Sequence, residues 1–148
     1  MDEECIIAEV TEPYLDRICE IENISFSDPW SKESFMGLLA NPFCKAFAAV
    51  KSGIVAGYII DIQIGNEAEI LNIAVAPESR KLGIGRKLLD HALDSMKSAD
   101  GLTVYLEVRE SNSAARHLYT SKGFREIAVR KGYYIKPRED AIEMKLEK

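Results

Sequence analysis

Between Lys45 and Met96 the apolar residues change period once, and that change restricts the chain to folds that set helices against a sheet. Lys45 to Lys51, Ile54 to Ile64 and Ala68 to Val75 are β-rich runs separated by the turn dipeptides Ser52-Gly53 and Gly65-Asn66, the pattern of an antiparallel meander. Ile84, Leu88, Leu89, Ala92, Leu93 and Met96 then recur at helical spacing, with Arg86, Lys87, Asp90 and Asp94 on the other side. A meander feeding a long amphipathic helix forms the centre of the chain.

The flanks extend this pattern. Cys5 to Val10 reads as a strand, and Thr11 with Pro13 opens a helix through Leu15, Ile18, Cys19 and Ile21. Ser31 caps a short second helix from Lys32 to about Leu39, which Asn41-Pro42 stops. Leu102 to Val108 is a strand. Ser111-Asn112-Ser113 then offers caps for a helix holding Ala114, Ala115, Leu118 and Tyr119, which Gly123 ends in a left-handed conformation. Phe124 to Lys131 and Ala141 to Leu146 close the chain as strands. The order β-α-α-β-β-β-α-β-α-β-β predicts an α/β fold, a mixed, mostly antiparallel sheet of about seven strands flanked by about four helices. No linker or repeat divides the 148 residues, so a single domain over 1–148 is expected.

Lys and Arg total 19 against 24 Asp and Glu, a net charge of −5, which argues against direct nucleic-acid binding and suits basic small molecules or peptides. Cys5, Cys19 and Cys44 form no C-x-x-C pair, and His91 and His117 lack ligand spacing, so no metal is expected. The opening Met1-Asp2-Glu3-Glu4 lacks the positive charge of a secretory signal, and the apolar stretch near Ile54 to Ile60 ends at Asp61. A cytoplasmic protein without a membrane partner is the expectation.

The segment Arg80-Lys81-Leu82-Gly83-Ile84-Gly85-Arg86-Lys87 joins strand to helix with two glycines and four basic residues. Close backbone approach at Gly83 and Gly85, unpaired N–H groups at the helix start and the helix dipole together suit an anion such as a pyrophosphate. The dinucleotide fingerprint fails because its third glycine position is Leu88, and the P-loop fails for want of Gly-Lys-Ser/Thr. A glycine turn with solvated basic side chains is the alternative reading.

Arg80-x-x-Gly83-x-Gly85, after a β-run and before an amphipathic helix, resembles the acetyl-CoA loop of the GNAT superfamily of N-acetyltransferases, and the element order matches that fold. Phe26-x-x-Pro29-Trp30-Ser31, Asn72-Ile73-Ala74-Val75, Tyr105-Leu106-Glu107-Val108-Arg109, Asn112-x-x-Ala115 and Tyr133-Tyr134 with Glu139-Asp140-Ala141 resemble the RimI family of ribosomal-protein alanine N-acetyltransferases. The resemblance implies acetyl-CoA as co-substrate, lined by Ile73, Ala74 and Val75. It implies that Lys81, Leu82, Gly83, Ile84, Gly85 and Arg86 cradle the pyrophosphate and that Asn112 binds the cofactor arm. By the same resemblance Glu107 is the general base, Tyr119 the general acid, and the substrate is the N-terminal segment of a ribosomal protein, the eighteenth of the small subunit.

The residues can be read without the resemblance. Glu107 shares a strand face with Thr103 and Tyr105, while Val104, Leu106 and Val108 take the other; by itself this describes a solvated glutamate. Tyr119 follows Leu118 on the half-buried side of its helix, where a lone tyrosine is core. Trp30 with Phe26 and Phe35 frames either a substrate channel or a core edge. Tyr133-Tyr134 and Glu139-Asp140, read alone, fall in a polar hairpin loop joining the last strands; the resemblance implies that this is the family's peptide-recognition loop, where the tyrosines would close over a small first residue and the acids would attract basic residues behind it. The competing functions are acetylation of a lysine or small amine, and non-catalytic acyl-CoA binding.

Overall fold

The computed structural model describes residues 4–148, so Met1 to Glu3 of the acidic opening lie outside the described residues. The strands are β1 (Cys5–Glu9), β2 (Cys44–Lys51), β3 (Ile54–Ile64), β4 (Glu67–Val75), β5 (Thr103–Arg109), β6 (Arg125–Ile135) and β7 (Arg138–Glu147). The helices are α1 (Leu15–Ser25), α2 (Lys32–Ala40), α3 (Ile84–Ser95) and α4 (Ser113–Ser121). The seven strands follow the order β1-β2-β3-β4-β5-β7-β6, as the element order predicts for a mixed sheet. The chain divides into two compact units, one running to Ile62 and resuming over Leu71–Met96, the other combining Gln63–Ile70 with Lys97–Lys148. Among the described residues, no helix is long and apolar enough to cross a membrane.

In the first unit β1, β2 and β3 form an antiparallel ladder, with Ala8 opposite Ala48 and Phe47 opposite Ile59. Leu15, Ile18 and Ile21 of α1 and Phe35 of α2 join Ala48, Tyr58 and Ile60 in the core. The helical period of the sequence is realised in α3, which buries Ile84, Leu88, Leu89, Ala92 and Leu93. Gly57 on β3 permits that packing. A Cβ there would lie 2.9 Å from the Ala74 carbonyl oxygen and 3.2 Å from Leu88 Cδ1, so only hydrogen lets α3 and β4 come this close. Ser31 Oγ accepts from the Ser34 N–H at 3.1 Å and caps α2 as expected. Thr11 makes no side-chain cap: a 3-10 turn over Glu12–Tyr14 intervenes, and α1 begins only at Leu15.

Asp61 on β3 departs from ordinary packing. It is fully buried, and neither carboxylate oxygen has a hydrogen-bond partner among the described residues. Burial pushes its acid constant up to about 7 from an ordinary 3.8, against the attraction of Lys45, its cross-strand partner. Because the folded-state value is raised, the native state binds the extra proton, and stability falls as pH rises from about 4 through about 7. Asp61→Asn is therefore expected to stabilise the protein by a few kcal/mol at pH 8 and by less than half as much at pH 5. Urea titrations at the two pH values check this; an equal change at both would show that ionisation of Asp61 costs nothing.

In the second unit Glu67–Glu69 of β4 pair in parallel with Thr103–Tyr105 of β5. β5 then pairs antiparallel with β7, and β7 with β6. The final hairpin differs from the sequence reading, which ends one strand at Lys131 and starts the next at Ala141. Pairing instead continues through Tyr134 opposite Glu139 and Ile135 opposite Arg138, leaving only Lys136-Pro137 as the turn. Gly132, at φ +61°, absorbs the register shift between Arg130 and Tyr134 that lets the ladder resume beyond it.

Candidate active site

The first unit carries the predicted anion loop. After β4, the chain makes a short 3-10 turn over Pro77–Ser79, and the Arg80 Nε–H donates to the Val75 carbonyl at 3.1 Å, tying the loop to the strand end. Lys81 at φ +66° and Gly83 at φ +78° place two left-handed residues either side of Leu82, the backbone alternation that turns successive N–H groups into an anion-binding concavity. Gly83 is the N-cap of α3; it offers no side-chain cap, and the first turn holds no acidic residue. The start of α3 thus carries no acidic side chain of its own, and the dipole of a twelve-residue helix adds positive potential. Among the predicted lining residues, Ala74 is buried while Ile73 and Val75 are partly exposed.

The same unit holds a buried polar cluster that sequence reading missed. Glu22 of α1 is 1% exposed, and its carboxylate accepts from the Tyr58 hydroxyl, from Asn72 Nδ2 at 2.6 Å and from the Trp30 backbone N–H at 2.9 Å. Burial raises the affinity of this carboxyl for its proton, and the bonds from Tyr58 and Trp30 oppose that rise. One acceptor therefore ties together α1, the Pro29-Trp30 segment, β3 and β4. Trp30 stacks edge-on against Phe35 at 5.5 Å, and Phe35 against Tyr58 at 5.8 Å, so these aromatics form a core edge.

In the second unit β5 alternates as predicted. Val104, Leu106 and Val108 are buried; Thr103, Tyr105, Glu107 and Arg109 are partly exposed on the other face. Glu107 and Glu143 stand directly opposite each other on β5 and β7, a like-charge pair that needs a cation. Arg130 of β6 supplies it, with Nε 3.0 Å from Glu107 and Nη2 2.9 Å from Glu143. These residues, with Glu69, Tyr105 and Leu106, line a cavity of about 350 Å³. Glu107 also accepts a hydrogen bond from the Tyr133 hydroxyl, which, with partial burial, pushes that phenol up to about 12. Burial together with the neighbouring charges of Glu107 and Glu143 raises Glu69.

Asn112 caps α4 through its side-chain oxygen, which accepts from the Ala115 N–H at 3.2 Å. Tyr119, on the same helix, is only 4% exposed rather than half-buried, and its ring meets Phe124 at 5.8 Å. Burial pushes its phenol well above the ordinary range. The proposed acidic lure for basic residues does not form. Glu139 is held by Arg109 and by the Ser111 N–H at 2.6 Å, and Asp140 by the Gly132 N–H at 2.8 Å and by Lys131 at 3.0 Å. Glu139 thus ties the hairpin to the end of β5 and the loop after it, and Asp140 braces the hairpin internally.

The acetyltransferase (GNAT) family model matches residues 15–124. The chain belongs to this family. Among its members, the [ribosomal protein bS18]-alanine N-acetyltransferase of Escherichia coli K12 is 38% identical over 128 residues, 85% of this chain and 86% of the relative. The protein of that name from Haemophilus influenzae is 36% identical over 145 residues, 94% of this chain and 96% of the relative. The crystal structure of the Escherichia coli ribosomal-protein-S18-alanine N-acetyltransferase superposes with a TM-score of 0.87 at 35% identity, covering 97% of this chain and 94% of that one. GNAT membership thus agrees with the fold and with the loop motif from which it is first legible. Arg130, Glu143 and Glu69, which surround Glu107, carry no sequence signal of their own, because only cross-strand register brings them to it.

Proposed function

We propose that residues 1–148 act as one cytoplasmic acetyltransferase domain that moves acetyl from acetyl-CoA to the N-terminal α-amine of a protein, with the N-terminal alanine of ribosomal protein bS18 as substrate. The observation that carries this reading is the identity of 36–38% along 85–94% of the chain to enzymes named for that reaction. The uncapped, acid-free start of α3 and the alternating backbone of Lys81 to Gly83 fit a pyrophosphate.

In this reading Lys81, Leu82, Gly83, Ile84, Gly85 and Arg86 hold the pyrophosphate of acetyl-CoA, the strand backbone of Ile73, Ala74 and Val75 lines its acyl end, and Asn112 binds its arm. Acetyl-CoA supplies the activated thioester carbonyl. A strand N–H from Ile73 to Val75 polarises that carbonyl, and Glu107 accepts the amine proton, directly or through water. Tyr119 serves as a hydrogen-bond donor to the leaving thiolate; its raised phenol makes full proton transfer to a thiolate uphill.

Proton affinity favours an N-terminal acceptor. Presenting a neutral α-amine at pH 7 costs about 1 kcal/mol, against about 4.5 kcal/mol for lysine. A basic peptide starting with alanine is expected to give a higher kcat/KM at neutral pH than the same peptide with a blocked N-terminus and one lysine. Mass-resolved acetylation assays at several pH values decide the matter; a win for the blocked peptide would replace this reading with lysine acetylation.

A further inference from the structure

One side chain, Arg109, engages the carbonyls of the β6–β7 turn. Arg109 lies on β5 two residues beyond Glu107, on the same strand face. Its Nη1–H donates to the Pro137 carbonyl at 3.0 Å and lies 3.2 Å from the Glu139 carboxylate, and its Nη2–H donates to the Lys136 carbonyl at 3.0 Å. Its guanidinium also covers the Tyr134 ring at 4.2 Å from the centroid. Turn-tip carbonyls ordinarily face water. Here both point at a fork of donors whose planar geometry also permits stacking on an aromatic face.

That clamp reaches the candidate base through adjacent tyrosines. Tyr133 and Tyr134 meet edge-on at 5.1 Å and 86°, Tyr133 donates to Glu107, and Tyr134 carries Arg109. Neighbouring residues on a regular strand point to opposite faces. The left-handed Gly132 and the register shift beside it re-aim this pair, so that Glu107 and Arg109, two apart on β5, each engage one tyrosine.

We infer that Arg109 is a positioning residue for the acceptor: it fixes the Tyr134–Glu139 turn and thereby holds Tyr133 against Glu107, where the acceptor's first residue is received. The inference rests on the function proposed above. Arg109 acts through the turn and the tyrosines, so it governs acceptor recognition and leaves acetyl-CoA binding alone.

Steady-state kinetics of the full chain with acetyl-CoA and an alanine-starting basic peptide provide the test. Arg109→Met is expected to raise the peptide KM about tenfold, with the acetyl-CoA KM changed less than about twofold. Arg109→Lys keeps the charge but not the fork, and should restore little of the loss. Tyr134→Leu removes the stacked ring and should reproduce the same split; it carries the test should Arg109→Met fail to fold. An unchanged peptide KM accompanied by a lower melting temperature would overturn the inference, reducing the clamp to hairpin stability, and so would full rescue by lysine. If the unaltered protein acetylates no alanine-starting peptide, the proposed function falls and this inference with it; if it does and the variants keep its KM, only the inference falls.

Discussion

Glu107→Gln is expected to lower turnover about a hundredfold or more at neutral pH, the usual scale of losing a general base, while acetyl-CoA binding is unchanged. The amide keeps the shape of the side chain and can still accept the Tyr133 hydrogen bond. Arg130 retains Glu143 at 2.9 Å, so the second unit keeps its β5–β7–β6 ladder and the loss is chemical. The defect should shrink at high pH, where more of the acceptor amine is already neutral. Turnover at saturating peptide and the thermal shift produced by acetyl-CoA give the two readouts. Equal turnover by the variant and the unaltered protein would return Glu107 to the role of a counter-ion for Arg130.

The largest stability effect is expected at Glu22. Glu22→Ala removes the one acceptor shared by Tyr58, Asn72 and the Trp30 N–H and leaves a cavity where the carboxylate lay. Tyr58 has no exposed surface, so its hydroxyl cannot turn to water in place. The burial cost of the carboxylate offsets part of the loss, since deletion relieves it. A net loss of about 3 to 5 kcal/mol follows, roughly a 10 °C fall in melting temperature for a chain of this size. Glu22→Gln keeps the volume and one acceptor oxygen but turns two N–H donors toward other donors, so it should fall between the two. Thermal unfolding of both variants measures this; an unaltered midpoint for Glu22→Ala would mean that the cluster does not hold the unit together.

What the sequence determines about this protein is what short-range periodicity encodes. The period-two pattern of β5 places Glu107 with Tyr105 away from the buried Val104, Leu106 and Val108, because a strand alternates faces whatever it pairs with. The 3.6 period of α3 and the glycines that open it are equally local, so the candidate anion loop is legible before any tertiary contact is known. The family resemblance draws on these same local blocks, and the family match agrees with it.

Tertiary structure alone decides which side chains meet. Glu107 acquires Arg130 and Glu143 through the register of three strands, and Gly132 resets that register between Arg130 and Tyr134. Glu139 and Asp140 look like acids offered to a substrate, yet the hairpin runs further than its composition suggests, turning Glu139 onto Arg109 and the Ser111 N–H beside it and Asp140 onto the hairpin's own Gly132 N–H and Lys131. Glu22 resembles any helix-surface glutamate until β3 and β4 bring Tyr58 and Asn72 from 36 and 50 residues away. Periodicity tells each residue which face it occupies; the free energy of a buried charge or hydrogen bond depends on what stands across from that face, and this is fixed only when distant segments pair.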